Sequence, residues 1–428
     1  RPRMIRWIYT AILRPRLLYA SVVWWPRVQK SSAKTTLEHT RALIMRGALG
    51  AMRTTPVVAM GVLLDIGPLH LEVIAAAALT AHRLKCEQKW GISVCRHTKF
   101  PRGVLSDPVL SMRQDRIATI RVWEGPFKVC FPKREEWTGT RRSVLLNGDI
   151  WFSDGSKTSA GVGAGIYSRQ NEIEESISLG EYATVFQAEI VAIMQCAQTA
   201  LSTGRTGRCI KICSDSQAAI KALGAPTITS QLTLECRQTL EALAEGNKVT
   251  LVWVPGHSGI KGNEKADMLA KAGSETKFVG PEPALGIPFC LSRRAVRGWL
   301  RDQNLMYWKT ETRDKCRQAR ALMGDSPRED LAGSILSLSR RDARRAVHIL
   351  TGHGTLGYHM HRLGIANSPN CGLCGKEETS LHILGQCPAY ARLRQTLLGS
   401  AFLGPEQLRQ LPIGDLLLFW RRTGIADR

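Results

Sequence analysis

The chain has 428 residues, which at about 150 residues per domain corresponds to two or three domains. Hydrophobic residues make up 44% and charged residues 22% of the chain, a balance that excludes a mostly disordered, collagen-like or disulfide-scaffold protein. Lysine and arginine number 59 against 36 aspartates and glutamates, a net charge of +23, which favours a polyanionic partner such as nucleic acid or an anionic membrane surface.

The cysteines and the apolar stretches indicate the cellular compartment of the protein and whether it spans a membrane. The twelve cysteines are scattered along the chain, so we expect mostly reduced thiols in an intracellular protein. The longest apolar stretch, Val57 to Leu79, is interrupted by an aspartate, a proline, a histidine and a glutamate, so neither a transmembrane helix nor a membrane partner is predicted. The chain opens on Arg1-Pro2-Arg3 without a leader or an initiator methionine, and we expect a fragment of a longer protein.

Charge divides the chain into regions. Residues 1–148 carry 25 basic and 9 acidic side chains, residues 149–277 carry 12 and 14, and residues 291–428 carry 22 and 12. The first region is predicted to be helical and to end in a linker from Gly125 to Asn147, which is rich in proline, glycine and charge. A second linker covers residues 278–290, and the last region is again predicted to be helical. A near-neutral domain thus lies between two basic regions.

The hydrophobic period changes in the middle region, where an α/β domain is predicted. Gly155 and Ser156 are expected to form a turn after the first strand. The predicted strands are Asp149–Asp154, Val162–Tyr167, Glu174–Leu179, Cys209–Ser214 and Val249–Val254. The predicted helices are Thr184–Leu201, Ser216–Leu223, Gln231–Leu243 and Asn263–Ala272. A strand meander followed by alternating helices and strands indicates a mixed five-stranded sheet with helices packed on it.

Four acidic residues of this region occupy positions where acids are costly. Asp154 and Asp215 follow apolar strand residues, Glu189 lies at the margin of an apolar helix face, and Asp267 lies beside apolar residues of the last helix. Any one of them alone is more commonly a cap or a turn residue. If they converge, their repulsion requires cations, and carboxylate oxygens suit Mg²⁺ or Mn²⁺. Two such ions about 3.5–4 Å apart can clamp a phosphodiester.

His257 lies in a glycine-rich loop directly after the last predicted strand. Such a histidine either has no role or, near a metal site, transfers a proton to a leaving group or assists product release.

The motifs of the middle region together resemble type 1 ribonuclease H. They are Phe152-Ser-Asp-Gly-Ser156, Gln187-Ala-Glu-Ile190, Ser214-Asp-Ser-Gln-Ala218, Val254-Pro-Gly-His-Ser-Gly259 and Gly262-Asn-Glu-Lys-Ala-Asp267. The resemblance implies a ribonuclease H-like fold over residues 149–277, with two Mg²⁺ ions bound by the four acidic residues named above and His257 assisting turnover. It implies hydrolysis of the RNA strand of RNA/DNA hybrids, leaving 5′-phosphate and 3′-hydroxyl ends.

Substrate binding is expected to depend on the flanking regions. Only 41 residues separate Asp215 from His257, which is short for family members that carry an extra basic substrate-binding helix. The domain is therefore predicted to lack that helix, and the basic flanks are predicted to bind RNA/DNA hybrid and other nucleic acid by neutralising phosphates.

A second cluster of ligand-type residues lies near the end of the chain. Cys371, Cys374, His382 and Cys387 occupy 17 residues, and three thiolates with one imidazole suit one structural, tetrahedral Zn²⁺. A CCHC zinc finger is therefore predicted at 371–387. Its spacing departs from the retroviral zinc knuckle, so a retroviral type of RNA binding is not inferred from it.

The two ends of the chain resemble parts of insect non-LTR retrotransposon polyproteins. The finger, with Leu350-Thr-Gly-His-Gly354 before it, resembles their tail, and Tyr9 to Trp25 resembles the segment that follows their reverse transcriptase core. The resemblance implies a C-terminal fragment of a reverse transcriptase polyprotein, which would contact that core and act in the nucleus. The chain contains no adjacent aspartate pair of the polymerase type, so RNA-directed DNA polymerase activity is expected only of the parent.

Two alternatives remain open at this stage. The chain could be a nucleic-acid-binding module with an inactive nuclease domain, or a DNA nuclease or integrase on the same fold. A glycine-rich stretch, Gly161 to Gly165, has the spacing of a dinucleotide-binding loop, but it lies inside a predicted strand with no helix after it, so no such cofactor is predicted.

Overall fold

The computed structural model describes residues 1–90, 100, 103–123, 125–137, 146–312, 316–326 and 328–425. The chain forms two compact units. The first unit comprises Arg1–Ala78, Lys99–Val104 and Val296–Arg428, and the second comprises Leu79–Thr98 and Leu105–Ala295. The second unit therefore contains the predicted α/β domain together with part of the preceding basic region.

The first unit is mainly helical. In chain order, the α-helices of both units are α1 (Pro2–Ile8), α2 (Arg14–Leu17), α3 (Ser21–Trp24), α4 (Ser31–Leu49), α5 (Val57–Leu64), α6 (Leu69–Cys86), α7 (Val185–Ser202), α8 (Gln217–Leu223), α9 (Gln231–Gly246), α10 (Lys261–Glu275), α11 (Phe289–Glu311), α12 (Arg317–Met323), α13 (Glu329–Ser337), α14 (Arg340–Thr351), α15 (Gly357–Arg362), α16 (Ala391–Leu398), α17 (Pro405–Gln410) and α18 (Ile413–Arg422).

All strands that the structure describes lie in the second unit. They are β1 (Arg116–Arg121), β2 (Lys128–Cys130), β3 (Asp149–Lys157), β4 (Val162–Ser168), β5 (Ile173–Ser178), β6 (Cys209–Ser214), β7 (Thr227–Ser230) and β8 (Lys248–Trp253). The main sheet has the order β2-β8-β6-β3-β4-β5, and β1 pairs with β7 in a separate two-stranded sheet. β4 is antiparallel to β3 and β5, whereas the pairs β3–β6, β6–β8 and β2–β8 are parallel.

Two sequence-based expectations about this sheet are wrong in detail. Among the described residues the main sheet has six strands, not five, because β2 forms within the segment Gly125 to Asn147 that was expected to be a linker. Gly155 and Ser156 do not form a turn. They continue β3, which pairs with β4 as far as Lys157 opposite Val162, because ladder hydrogen bonds outweigh the turn preference of glycine and serine.

Helices cover both faces of the main sheet. Thr184 caps α7 in a capping box with Gln187. The apolar side of α7 packs against α9 and the sheet around Trp151. Helix α10 lies against β4 at unusually close range. A Cβ added to Gly165 would lie 2.3 Å from the backbone oxygen of Ala266, and one added to Gly163 would lie 2.2 Å from the backbone nitrogen of Ser274. The glycine-rich stretch therefore allows close packing of α10 on β4.

The first unit has a continuous apolar core, which includes Met45, Leu63, Trp308, Val347 and Phe419. No single helix in the described ranges is long and apolar enough to cross a membrane, although α5 and α6, bent by 56° relative to each other, pass that test as a pair on length and composition.

Candidate active site

Asp154 lies inside β3, opposite Gly165 of β4, and its side chain is buried. Its Oδ1 accepts a hydrogen bond of 2.8 Å from the backbone N–H of Gly155. A Cβ at Gly155 would lie 2.6 Å from the backbone nitrogen of Glu189. Glycine at this position therefore lets α7 approach the strand and brings Glu189 beside Asp154.

Glu189 and Asp215 are held by neighbouring polar groups. The hydroxyl of Ser214 donates a hydrogen bond of 3.3 Å to Oε2 of Glu189. Asp215 follows β6, and its backbone oxygen accepts a hydrogen bond of 3.0 Å from the indole nitrogen of Trp253 on β8. Both carboxylates are thus positioned by the ends of adjacent parallel strands.

Three of the four predicted acidic residues converge. Carboxylate oxygens of Asp154, Glu189 and Asp215 all lie within 4.8 Å of one another. Three hard oxygen donors at this spacing fit a Mg²⁺ or Mn²⁺ ion.

Burial, and after it repulsion among the acidic groups, raises the pKa values of this cluster. Burial raises the pKa of Asp154 to about 7, with a further rise from the charge of Asp215. Burial also raises the pKa of Glu189 to about 9, and the charges of Asp154 and Asp215 add to this rise. The pKa of Asp215 is raised by burial as well. A bound divalent cation would relieve this repulsion, because it favours the ionised form of each carboxyl group.

Asp267 lies at the edge of this cluster. It is not one of the three residues whose oxygens converge, and its Oδ2 lies 2.6 Å from Nζ of Lys271, one turn further along α10. Its charge still raises the pKa of Asp154 and of Asp215, so it is electrostatically part of the same site.

The loop between β8 and α10 contributes His257 and brings Asn263 to the site. His257 is exposed and has a positive φ of 51°, and positive charge on it lowers the pKa of Asp215. A Cβ at Gly256 would lie 2.7 Å from Oδ2 of Asp215, so this glycine leaves room for the carboxylate. Asn263 is buried and hydrogen-bonds the side chain of Asp215. Sequence reasoning gave Asn263 no role, although it lies inside the fifth motif.

The comparison with known families agrees with this geometry. Residues 147–275 match the family model described as RNase H. This part of the chain is a ribonuclease H domain. Its mixed sheet with flanking helices was predicted from the sequence.

Two curated relatives of the chain are polyproteins of insect transposable elements. A retrovirus-related Pol polyprotein from the type-1 retrotransposable element R1 4 of Nasonia vitripennis is 31% identical over 107 residues, 24% of this chain and 26% of that protein. The corresponding R1 polyprotein of Bradysia coprophila is 44% identical over 48 residues, 11% of this chain and 5% of that protein. The chain is homologous to Pol polyproteins of insect R1 elements, which confirms the predicted relation to insect non-LTR retrotransposon polyproteins. The matched parts span about a quarter or less of these relatives.

A second ligand cluster lies in the first unit, outside the ribonuclease H domain. Donor atoms of Cys371, Cys374, His382 and Cys387 all lie within 4.8 Å of one another. The Sγ atom of Cys374 lies 3.1 Å from Nε2 of His382 and 3.8 Å from Sγ of Cys387. Thiolates bound at about 2.3 Å in a tetrahedron would be roughly 3.8 Å apart, so this donor set fits Zn²⁺.

The cysteine cluster is tied into the core of its unit. Cys371 and Cys387 belong to the same buried apolar cluster as the surrounding helices. Arg394 of α16 is fully buried and donates hydrogen bonds to the backbone oxygens of Ile383, Cys387 and Ala401 at 3.0, 2.6 and 2.8 Å. The guanidinium group therefore fixes the chain around the last cysteine.

Proposed function

We propose that this chain hydrolyses the RNA strand of RNA/DNA hybrids with the aid of divalent cations, as part of a retrotransposon Pol polyprotein. The observation that carries the proposal is the convergence of Asp154, Glu189 and Asp215 in a ribonuclease H domain. Buried carboxylates that raise each other's pKa values form a site that suits a cation. An inactive binding module would not need to retain such a site.

The carboxylates would hold the metal ions, with Asp267 as the fourth ligand. Two Mg²⁺ or Mn²⁺ ions, when bound, would stabilise the attacking and leaving oxygens of the scissile phosphodiester. Ser214 and Asn263 orient Glu189 and Asp215 by hydrogen bonds, and such outer partners keep ligands in place between turnovers. The products would carry 5′-phosphate and 3′-hydroxyl ends.

His257 is assigned a role in turnover. It is exposed and lies on a loop whose glycine contacts Asp215, so its imidazole can reach the leaving group without displacing a buried residue. A protonated imidazole can pass its proton to the 3′ oxygen as that oxygen departs.

The basic first unit is assigned the role of binding hybrid and other nucleic acid. It holds 33 lysines and arginines against 15 aspartates and glutamates, a net charge of +18 out of the total +23. Phosphate neutralisation by such a unit gives affinity without sequence preference and makes binding weaken with salt.

The remaining assignments follow from the zinc-type donor set and from the relatives. One structural Zn²⁺ would be bound by Cys371, Cys374, His382 and Cys387 and would hold the end of the first unit together. The parent polyprotein would combine this part with a reverse transcriptase core and act in the nucleus, where its DNA target lies.

The test is cleavage of a hybrid duplex labelled on each strand, by the full chain, with and without Mg²⁺. We expect cleavage of the RNA strand alone, and only with the metal. Asp215→Asn should abolish cleavage while hybrid binding persists. Asp149→Asn, at the half-buried start of β3, is the matched control and should cleave normally.

Other outcomes would replace the proposal. Hybrid binding without any cleavage would favour the inactive binding module, and cleavage of duplex DNA but not of the hybrid would favour a DNA nuclease or integrase. Full activity of the Asp215→Asn variant would refute the assignment of the carboxylates.

A further inference from the structure

The first unit contains a cavity of about 260 Å³ between α4, α5 and the C-terminal half of α11. Most of its wall is apolar and is formed by Val58, Val62, Ile66, Leu305 and Trp308. The cavity is smaller than the roughly 300–1,000 Å³ typical of sites for drug-sized ligands, so it suits a single ring system.

Two polar side chains at this cavity carry buried atoms that have no hydrogen-bond partner in the described structure, although Nη2 of Arg41 donates a hydrogen bond of 3.5 Å to the backbone oxygen of Val57. Arg41 is 1% exposed, and neither its Nε nor its Nη1 has a partner among the described residues. Its Nη2 atom lies 3.3 Å from Oε2 of Glu38. Oδ1 of Asn304 is likewise buried and unpaired in the described structure. Buried polar groups in native proteins are almost always paired, so unpaired donors and an unpaired acceptor on residues that line the same cavity point to a ligand.

Two glycines make room for these side chains. A Cβ at Gly61 would lie 3.1 Å from Nη2 of Arg41, and a Cβ at Gly67 would lie 2.8 Å from Nδ2 of Asn304. Both glycines line the cavity. The backbone of α5 and the loop after it therefore leave the space that the arginine and the asparagine need to reach the cavity wall.

We propose that this cavity receives one unstacked base of a single-stranded nucleic acid. A base is flat and apolar on its faces, and its edge carries hydrogen-bond acceptors next to donors, which match Arg41 and Asn304. The surrounding unit has a net charge of +18, which attracts the phosphate backbone of the same strand. Arg301 is exposed at the cavity mouth, where it can contact a phosphate next to the inserted base. This proposal does not require the nuclease to be active.

The experiment compares two labelled single-stranded DNA oligonucleotides of equal length, one with bases and one fully abasic, for binding to the full chain by fluorescence anisotropy. Single-stranded DNA is not a hybrid, so cleavage does not interfere. We expect the base-containing strand to bind about tenfold more tightly, the gain typical of burying one base against protein side chains. Val62→Phe should fill the cavity and remove this difference, while the affinity for the abasic strand stays the same.

The matched control is Val279→Phe, the same change at a residue that is 91% exposed, and it should keep the tenfold difference. If Val62→Phe unfolds, Asn304→Leu provides the second test, because it removes the unpaired acceptor from a half-buried position. Equal affinity of the unmodified chain for both strands would show that the cavity holds only water and would overturn the proposal. A difference that persists in the folded Val62→Phe or Asn304→Leu variant would overturn it as well.

Discussion

The buried carboxylate cluster should destabilise the metal-free protein, and Asp154→Asn should therefore stabilise it. The pKa of Asp154 is raised from 3.8 to about 7 in the folded state. At about 1.4 kcal/mol per pKa unit, the unfavourable ionisation costs up to about 4 kcal/mol above pH 7. The asparagine amide keeps the burial cost of a polar group, so we expect a net gain of about 1–3 kcal/mol at pH 8.

The stabilisation by Asp154→Asn should depend on pH. Because the pKa of Asp154 is raised by folding, its favourable contribution is fully present below pH 3.8 and disappears as the pH rises through about 7. The advantage of Asp154→Asn should therefore be largest at pH 8 and should fall by more than half at pH 5. Added Mg²⁺ should stabilise the unmodified protein and reduce the advantage further, since it binds the ionised carboxylates.

Hydrogen exchange of the β3 and β6 amides, followed by mass spectrometry, measures the opening free energy of this domain in the intact chain. Magnesium should be left out of the buffer, and no chelator should be added, because a chelator would also remove zinc from the cysteine cluster. Asp149→Asn on the same strand is the control, because Asp149 accepts a hydrogen bond of 2.7 Å from Asn171 and no stabilisation is expected there. An equal gain in both variants, or a gain independent of pH, would refute the electrostatic reasoning.

Three further predictions concern other parts of the structure. Asn263→Leu removes the hydrogen bond to Asp215 and should raise the Mg²⁺ concentration needed for cleavage about 10- to 100-fold; an unchanged metal titration would contradict this role. Cys371→Ser should reduce the zinc content from one ion per chain to none, as measured by elemental analysis, and retained zinc would exclude this ligand set. Gly165→Ala would place a Cβ 2.3 Å from the backbone oxygen of Ala266 and should cost about 2–4 kcal/mol in urea unfolding, whereas Gly47→Ala, in open space, should be neutral or slightly stabilising.

Much of the ribonuclease H domain could be predicted because its signals are local. The strand Cys209–Ser214 has the predicted bounds, and α7 begins one residue after Thr184, where its capping box starts. The four zinc-type ligands were also predictable, since a short spacing in the chain keeps them close in any compact fold.

Features that depend on tertiary pairing were missed. The three-residue strand β2 has no hydrophobic period of its own and exists only because β8 offers a free edge. The contact of Asn263 with Asp215 joins the start of α10 to the residue that follows β6. The cavity in the first unit joins residues of α4, α5 and α11 that are far apart in sequence. No periodicity in the sequence predicts such long-range contacts.

The close approach of α10 to β4 has a consequence for how the domain can change during evolution. At Gly163 and Gly165 main chain faces main chain, and no side chain lies between helix and strand. The height of α10 above the sheet, and with it the position of Asp267, is therefore set by backbone dimensions. Substitutions in the apolar core around Trp151 should therefore leave the position of Asp267 unchanged, whereas the two glycines themselves are not free to vary.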